Sequence, residues 1–88
     1  MREVEYRKHA ARKIRQLARD EQLAVMTRTQ ALAEDPTPPA SIPMKGNNWK
    51  GWRRLRVGGL RAIYWFDDTT VSVAVVFRRG QGYPDAPP

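Results

Sequence analysis

Residues 52–64 read Trp52-Arg53-Arg54-Leu55-Arg56-Val57-Gly58-Gly59-Leu60-Arg61-Ala62-Ile63-Tyr64. Apolar and charged side chains alternate on both sides of a Gly-Gly pair, the pattern of a β-hairpin closed by a two-residue turn. Both glycines accept a positive φ, so the turn fixes the register. Val57 then lies opposite Leu60, Leu55 opposite Ala62, and Arg53 opposite Tyr64. On the other face Arg56 meets Arg61, Arg54 meets Ile63, and Trp52 meets Trp65.

The pattern continues downstream. The strands read as Arg53–Val57, Leu60–Phe66 and Val71–Phe77, rich in β-branched and aromatic residues. Asp67-Asp68-Thr69-Thr70 makes the second turn. A loop of even length puts Val71, Val73, Val75 and Phe77 on the face of Leu60, Ala62, Tyr64 and Phe66, the expected core. Ser72, Ala74, Val76 and Arg78 take the opposite face. Arg54, Arg56, Arg61 and Arg78 thus converge on one side of the sheet, flanked by Trp52 and Trp65. Like charges directly across a strand pair repel. The face is therefore either an anion site or a set of arginines splayed into water. Arg matches phosphate as a bidentate fork, and a neighbouring Trp offers a surface on which a base stacks.

Upstream the period changes. Val4 and Tyr6 alternate with Arg2, Glu3 and Glu5 in a short edge strand. Ala10, Ala11, Ile14, Leu17 and Ala18 form one helical stripe, and Val25, Met26, Thr29, Leu32 and Ala33 a second. Asp20 is suited to cap the second helix, and Pro36 stops it. The two helices are expected to pair antiparallel. Residues 35–43 hold four of the seven prolines and read as an extended connector. Residues 44–51 form a basic loop carrying Lys45 and Lys50. The Gly- and Pro-rich end, 80–88, is expected to be a flexible tail. The 88 residues make one domain, 1–88, with a thin core.

Composition narrows the function. Lys and Arg number 16 against nine Asp and Glu, a net charge of +7. Residues 1–35 carry eight basic and six acidic side chains, whereas 44–80 carry eight basic and two acidic. So basic a C-terminal half suits a polyanion or an acidic partner. No apolar run approaches the length of a membrane span, and no apolar signal core opens the chain. The absence of Cys excludes a disulfide framework and suits a cytoplasmic location. With one His, the usual zinc ligands are lacking, so no metal or other cofactor is expected. His9 at a helix start reads as a surface residue, Asp67-Asp68 as turn residues, and Gly80-Gln81-Gly82 precedes no helix that would make it a phosphate loop.

The order of these parts resembles the RelE/ParE superfamily of bacterial toxin–antitoxin systems over nearly the whole chain. The resemblance rests on Val4-Glu5-Tyr6, two helices ending at Glu34-Asp35-Pro36, Met44-Lys45-Gly46, the hairpin from Trp52 to Tyr64, and Val71–Phe77 followed by Arg78-Arg79 and Tyr83. The run from Leu55 to Tyr64 is its most specific piece. It implies an α+β fold, with an N-terminal strand and a two-helix hairpin on one face of a curved antiparallel sheet of about four strands. For the RelE-like branch it implies a metal-independent endoribonuclease that cuts mRNA on the ribosome, inhibits translation and is neutralised by a cognate antitoxin in a hetero-oligomer. Arg54, Arg56, Arg61, Arg78 and Tyr83 match that branch's catalytic positions, with Arg where Lys is usual. Lys45, Lys50, Trp52 and Arg79 are expected to be the accompanying RNA-binding residues. The alternatives are a ParE-like non-catalytic inhibitor of DNA gyrase and a basic interaction module without toxicity.

Overall fold

From Arg53 to Tyr64 the expected hairpin register holds. A computed structural model describes residues 1–88. It contains β1 (Glu3–Tyr6), α1 (Lys8–Gln16), α2 (Arg19–Gln30), β2 (Ser41–Pro43), β3 (Arg53–Val57), β4 (Leu60–Phe66) and β5 (Thr70–Arg78), with short 3-10 turns at Ala31–Ala33 and Asn47–Trp49. Arg53 pairs with Tyr64, Arg54 with Ile63, Leu55 with Ala62, Arg56 with Arg61 and Val57 with Leu60. The ladder ends there. Trp52 does not pair with Trp65; its carbonyl instead accepts the Met44 N–H at 2.9 Å. Only Gly58 of the turn has a positive φ, +58°.

The fold is α+β, as expected, with two differences in the sheet. It has five strands in the order β1-β5-β4-β3-β2. β1 lies parallel to β5, so the sheet is mixed rather than antiparallel. The additional strand comes from the proline-rich connector, where Ser41–Pro43 pairs antiparallel with β3 at the sheet edge. Proline is tolerated there because an edge strand has N–H positions that need no partner.

That connector is stapled down by a directed chain of hydrogen bonds. The Pro36 carbonyl accepts from the Tyr64 hydroxyl at 2.6 Å. Having spent its proton, Tyr64 must accept from Ser41 Oγ at 2.5 Å. Ser41 Oγ in turn accepts from Arg53 Nε at 2.8 Å, and Arg53 Nη2 donates to the Ser41 carbonyl at 3.1 Å. Tyr64 is fully buried, and desolvation raises its phenol pKa.

The helices cover one sheet face. Ala10, Ile14, Leu17, Val25 and Leu32 pack with Leu55, Val57, Leu60, Ala62, Tyr64, Val71, Val73 and Val76. The second helix begins earlier than its cap signal suggests. Its N-cap is Ala18, and Asp20 and Glu21 lie in the first turn, where the positive end of the helix favours them.

The largest departure is in β5. Tyr64 pairs with Val73 and Ile63 with Val75, so Ala74 is an extra residue, a β-bulge. One added residue reverses the parity of everything beyond it. Val76 therefore joins the helix-side core, and Val75 and Phe77 turn to the opposite face. There they form a second cluster with Trp49, Ile63 and Ala74, bordered by Met44 and Trp52. The tail lies over this cluster. Tyr83 packs 4.9 Å from the Phe77 ring and 5.9 Å from Trp49. Trp49 Nε1 donates to the Pro84 carbonyl, Asn48 Nδ2 to that of Asp85 and Arg7 Nη1 to that of Pro88, each at 3.2 Å.

Candidate phosphate-binding site

Three of the expected residues come together on the face away from the helices. Arg54 and Arg56 lie on β3 and Arg61 on β4, and with Ile42 and Ala40 they line a cleft of about 500 Å³. Its wall is the stapled connector, so the Tyr64–Ser41–Arg53 chain holds the cleft's shape from behind. Arg53 itself points to the connector, as its register parity requires.

Arg78 does not join them. After the bulge it pairs with Leu60 on the helix side. There its guanidinium grips Glu21 of α2 at 2.7 and 3.2 Å, the only ion pair in the protein. That hydrogen bond raises the Arg78 pKa and lowers that of Glu21. The expectation that Arg78 belongs to the arginine face is therefore corrected, and the cause is the extra residue at Ala74. Arg79 takes the place instead. Its backbone N–H donates to the Gly59 carbonyl at 2.8 Å, and its side chain lines a second cleft, of about 410 Å³, with Arg28, Arg56, Arg61 and Gly58.

Arg61 lies between the two clefts. Its Nη1 donates to the Gly58 and Leu60 carbonyls, both at 2.9 Å. Nε and Nη2 remain free to take an anion. Burial lowers its pKa, and the adjacent Arg56, Arg79 and Arg54 cations lower it further. A guanidinium still stays charged at neutral pH. The site is thus positively charged, anchored at Arg61 and without a neutralising carboxylate.

Tyr83 and Lys45 line a third cleft together with Arg54, Ile42, Pro43 and Met44. The first cleft shares Arg56 and Arg61 with the second and Arg54 with the third, making one cationic stripe that ends at an aromatic ring. Trp52 is otherwise engaged: it stands edge-on to Trp49 at 5.4 Å, and the Arg7 guanidinium covers its ring at 5.1 Å. It belongs to the second core rather than to an open stacking surface. Lys50 is exposed in the loop and lines none of these clefts. No group of three or more potential metal ligands is present. No helix is long and apolar enough to cross a membrane.

Sequence reasoning missed Arg28, which comes from the last turn of α2. Its signal was its place beside the buried stripe residue Thr29. Strand pairing carries no information on where a helix docks.

This fold is that of a known class of small toxins. The profile of the ParE toxin of type II toxin–antitoxin systems matches residues 4–83. The toxin–antitoxin complex RelBE2 from Mycobacterium tuberculosis contains a chain with 26% identity and a TM-score of 0.77, matched over 89% of this chain and 98% of that one. The archaeal RelE–RelB complex from Pyrococcus horikoshii OT3 gives 20% identity and 0.76, over 92% and 98%. The RelBE complex from E. coli gives 19% and 0.72, over 92% and 100%. No curated protein sequence matches. The chain belongs to the RelE/ParE superfamily and is the toxin of a type II toxin–antitoxin system.

Proposed function

We propose that this toxin is a metal-independent endoribonuclease that cuts mRNA on the ribosome, acting in the cytoplasm and held inactive by a cognate antitoxin. The single observation behind this reading is the convergence of Arg54, Arg56, Arg61 and Arg79, none paired with an acid, on one open sheet face. Such a set is costly to assemble and is offset by binding phosphate.

In the proposed reaction the 2′-OH of one nucleotide attacks the adjacent phosphate in line. The P–O5′ bond breaks, leaving a 2′,3′-cyclic phosphate and a 5′-hydroxyl. The 2′ oxygen gives up its proton, and the departing 5′ oxygen takes one. Negative charge grows on the phosphorane, where Arg61 offers free N–H donors that need no reorganisation. Arg54 and Arg56 hold the flanking backbone, and Arg79 takes the part expected of Arg78. Within the stripe Tyr83 is the one ionisable group that is neither Lys nor Arg, which suits it to proton transfer or to stacking a base. The arginines supply orientation and charge rather than a base.

The match to the ParE family profile favours a second reading, inhibition of DNA gyrase without catalysis. One experiment separates the two. The toxin is induced alone, mRNA ends are mapped, and plasmid supercoiling is followed in parallel. New 5′-hydroxyl ends inside reading frames, preceding any loss of supercoiling, support cleavage. Intact mRNA with early loss of supercoiling refutes it and favours gyrase.

A further inference from the structure

The cleft at the hairpin end is separate from the one lined by Arg54. It is bounded by Arg28 from α2, Arg56 from β3, Arg61 from β4 and Arg79 just past β5, with Ala40 and Gly58 completing it. Four arginines, from α2, β3, β4 and the residue after β5, line one space of about 410 Å³, and no carboxylate bridges to any of them. Among these side chains the only hydrogen bonds are those that fix Arg61 Nη1. Arg56 and Arg61 are common to both clefts, so the two anion positions are contiguous.

From this geometry we infer a second phosphoryl subsite, in which Arg28 is a binding residue and which takes a phosphoryl group next to the one held at Arg54–Arg56–Arg61. The ligand chemistry is two adjacent phosphoryl groups. They come either from consecutive phosphodiesters of an RNA strand or from a free nucleoside polyphosphate. The inference rests on the reading of the sheet face as a phosphate site and extends it to a helix residue. Two features argue for a ligand of more than one phosphate. A single phosphate is satisfied by two bidentate arginines, yet the contiguous clefts present five. Arg28 is also exposed and unpaired in the last turn of α2, where a cation is already well placed by the helix dipole. Folding alone gives no reason for it to face three further cations.

The test uses the intact toxin and a 5′-labelled uridine hexanucleotide with 2′-O-methyl riboses, which binds but cannot be cut. Binding is measured by fluorescence anisotropy across a salt series, with Arg28→Ala, Arg54→Ala and, as a charge-matched control on the far helix, Arg12→Ala. Thermal denaturation verifies that each variant is folded. Arg28→Ala should weaken binding several-fold and reduce the magnitude of the salt slope by about 0.7, the signature of one lost single-strand phosphate contact. Arg12→Ala should change neither. ATP and inorganic pyrophosphate are then titrated as competitors. Competition that disappears in Arg28→Ala supports a free polyphosphate as the source, and its absence supports consecutive backbone phosphates. If Arg28→Ala matches the wild type in hexanucleotide and competitor binding while Arg54→Ala is weakened, the second subsite is overturned and the RNA reading survives. If neither variant is weakened, the phosphate reading of the whole face fails, and the subsite fails with it.

Discussion

Replacing Tyr64 with Phe removes one oxygen from the centre of the hydrogen-bond chain that fastens the connector to the sheet. The aromatic ring stays, so no cavity opens. Two bonds are lost, from Ser41 Oγ at 2.5 Å and to the Pro36 carbonyl at 2.6 Å. Ser41 is buried and keeps Arg53 as a donor, but its own proton loses its acceptor. The Pro36 carbonyl is half-buried and regains water in part. At about 1 kcal/mol per bond the loss is about 2 kcal/mol, and about 3 kcal/mol if the Ser41 proton stays unsatisfied. For a domain of this size, about 2 kcal/mol corresponds to a fall in Tm of about 8–16 °C. Thermal unfolding followed by circular dichroism reads the shift, and urea unfolding should show a lower midpoint with an unchanged slope. Ser41→Ala and the double variant complete a cycle, with a coupling energy of about 0.5–3 kcal/mol expected for groups in direct contact. The Ala40 carbonyl accepts the Arg56 N–H at 3.0 Å, so RNA binding should weaken too, through a loosened cleft wall. A fall in Tm below about 3 °C, with additive single variants, would show that the chain does not hold the connector.

The remaining predictions concern charge. Arg61→Ala should abolish toxicity with the domain still folded; Arg61→Lys keeps the charge but loses the fork, so a large loss in growth-arrest assays indicates geometry and a small one simple electrostatics. Arg78→Ala should retain RNA binding and leave Tm nearly unchanged, because its pair with Glu21 is open to solvent, with side-chain exposures of 43% and 28%; Arg79→Ala should lose RNA binding. Equal loss in both variants would overturn the placement of Arg78 on the helix side. Hydrogen bonding lowers two carboxyl pKa values: Glu21 through Arg78, and Asp67 through the Thr69 and Thr70 N–H groups. Their contribution is full above the unfolded carboxylate range of about 4 and disappears as pH falls below it, so Asp67→Asn should flatten the acid limb of a stability–pH curve. Tyr64, with its pKa raised by burial, contributes below about pH 10 and loses that contribution as pH rises through its higher folded value, so Tyr64→Phe should flatten the alkaline limb.

The hairpin was legible because alternation and a Gly-Gly turn leave one pairing, and with it the shared face of Arg54, Arg56 and Arg61. β5 was not legible in the same way. Val73–Phe77 is apolar at every position, so both parities satisfy the core equally and a bulge at Ala74 costs no hydrophobic mismatch. The same uninterrupted run carried a signal of its own, since a strand apolar on both sides is a strand covered on both sides. The second cover is Trp49 from an irregular loop and Tyr83 from the tail, segments without any period. Both consequences meet at Arg78-Arg79. Two arginines in succession at a strand end send one to each face, whichever register the strand adopts. Here one reaches Glu21 and ties the sheet to α2, while the other completes the cationic stripe. The doubled arginine therefore explains how an apolar strand of undetermined parity still delivers a cation to the phosphate face. A substitution at Arg79 therefore removes the one cation that this strand end delivers to the phosphate face, whereas a substitution at Arg78 leaves that face as it is.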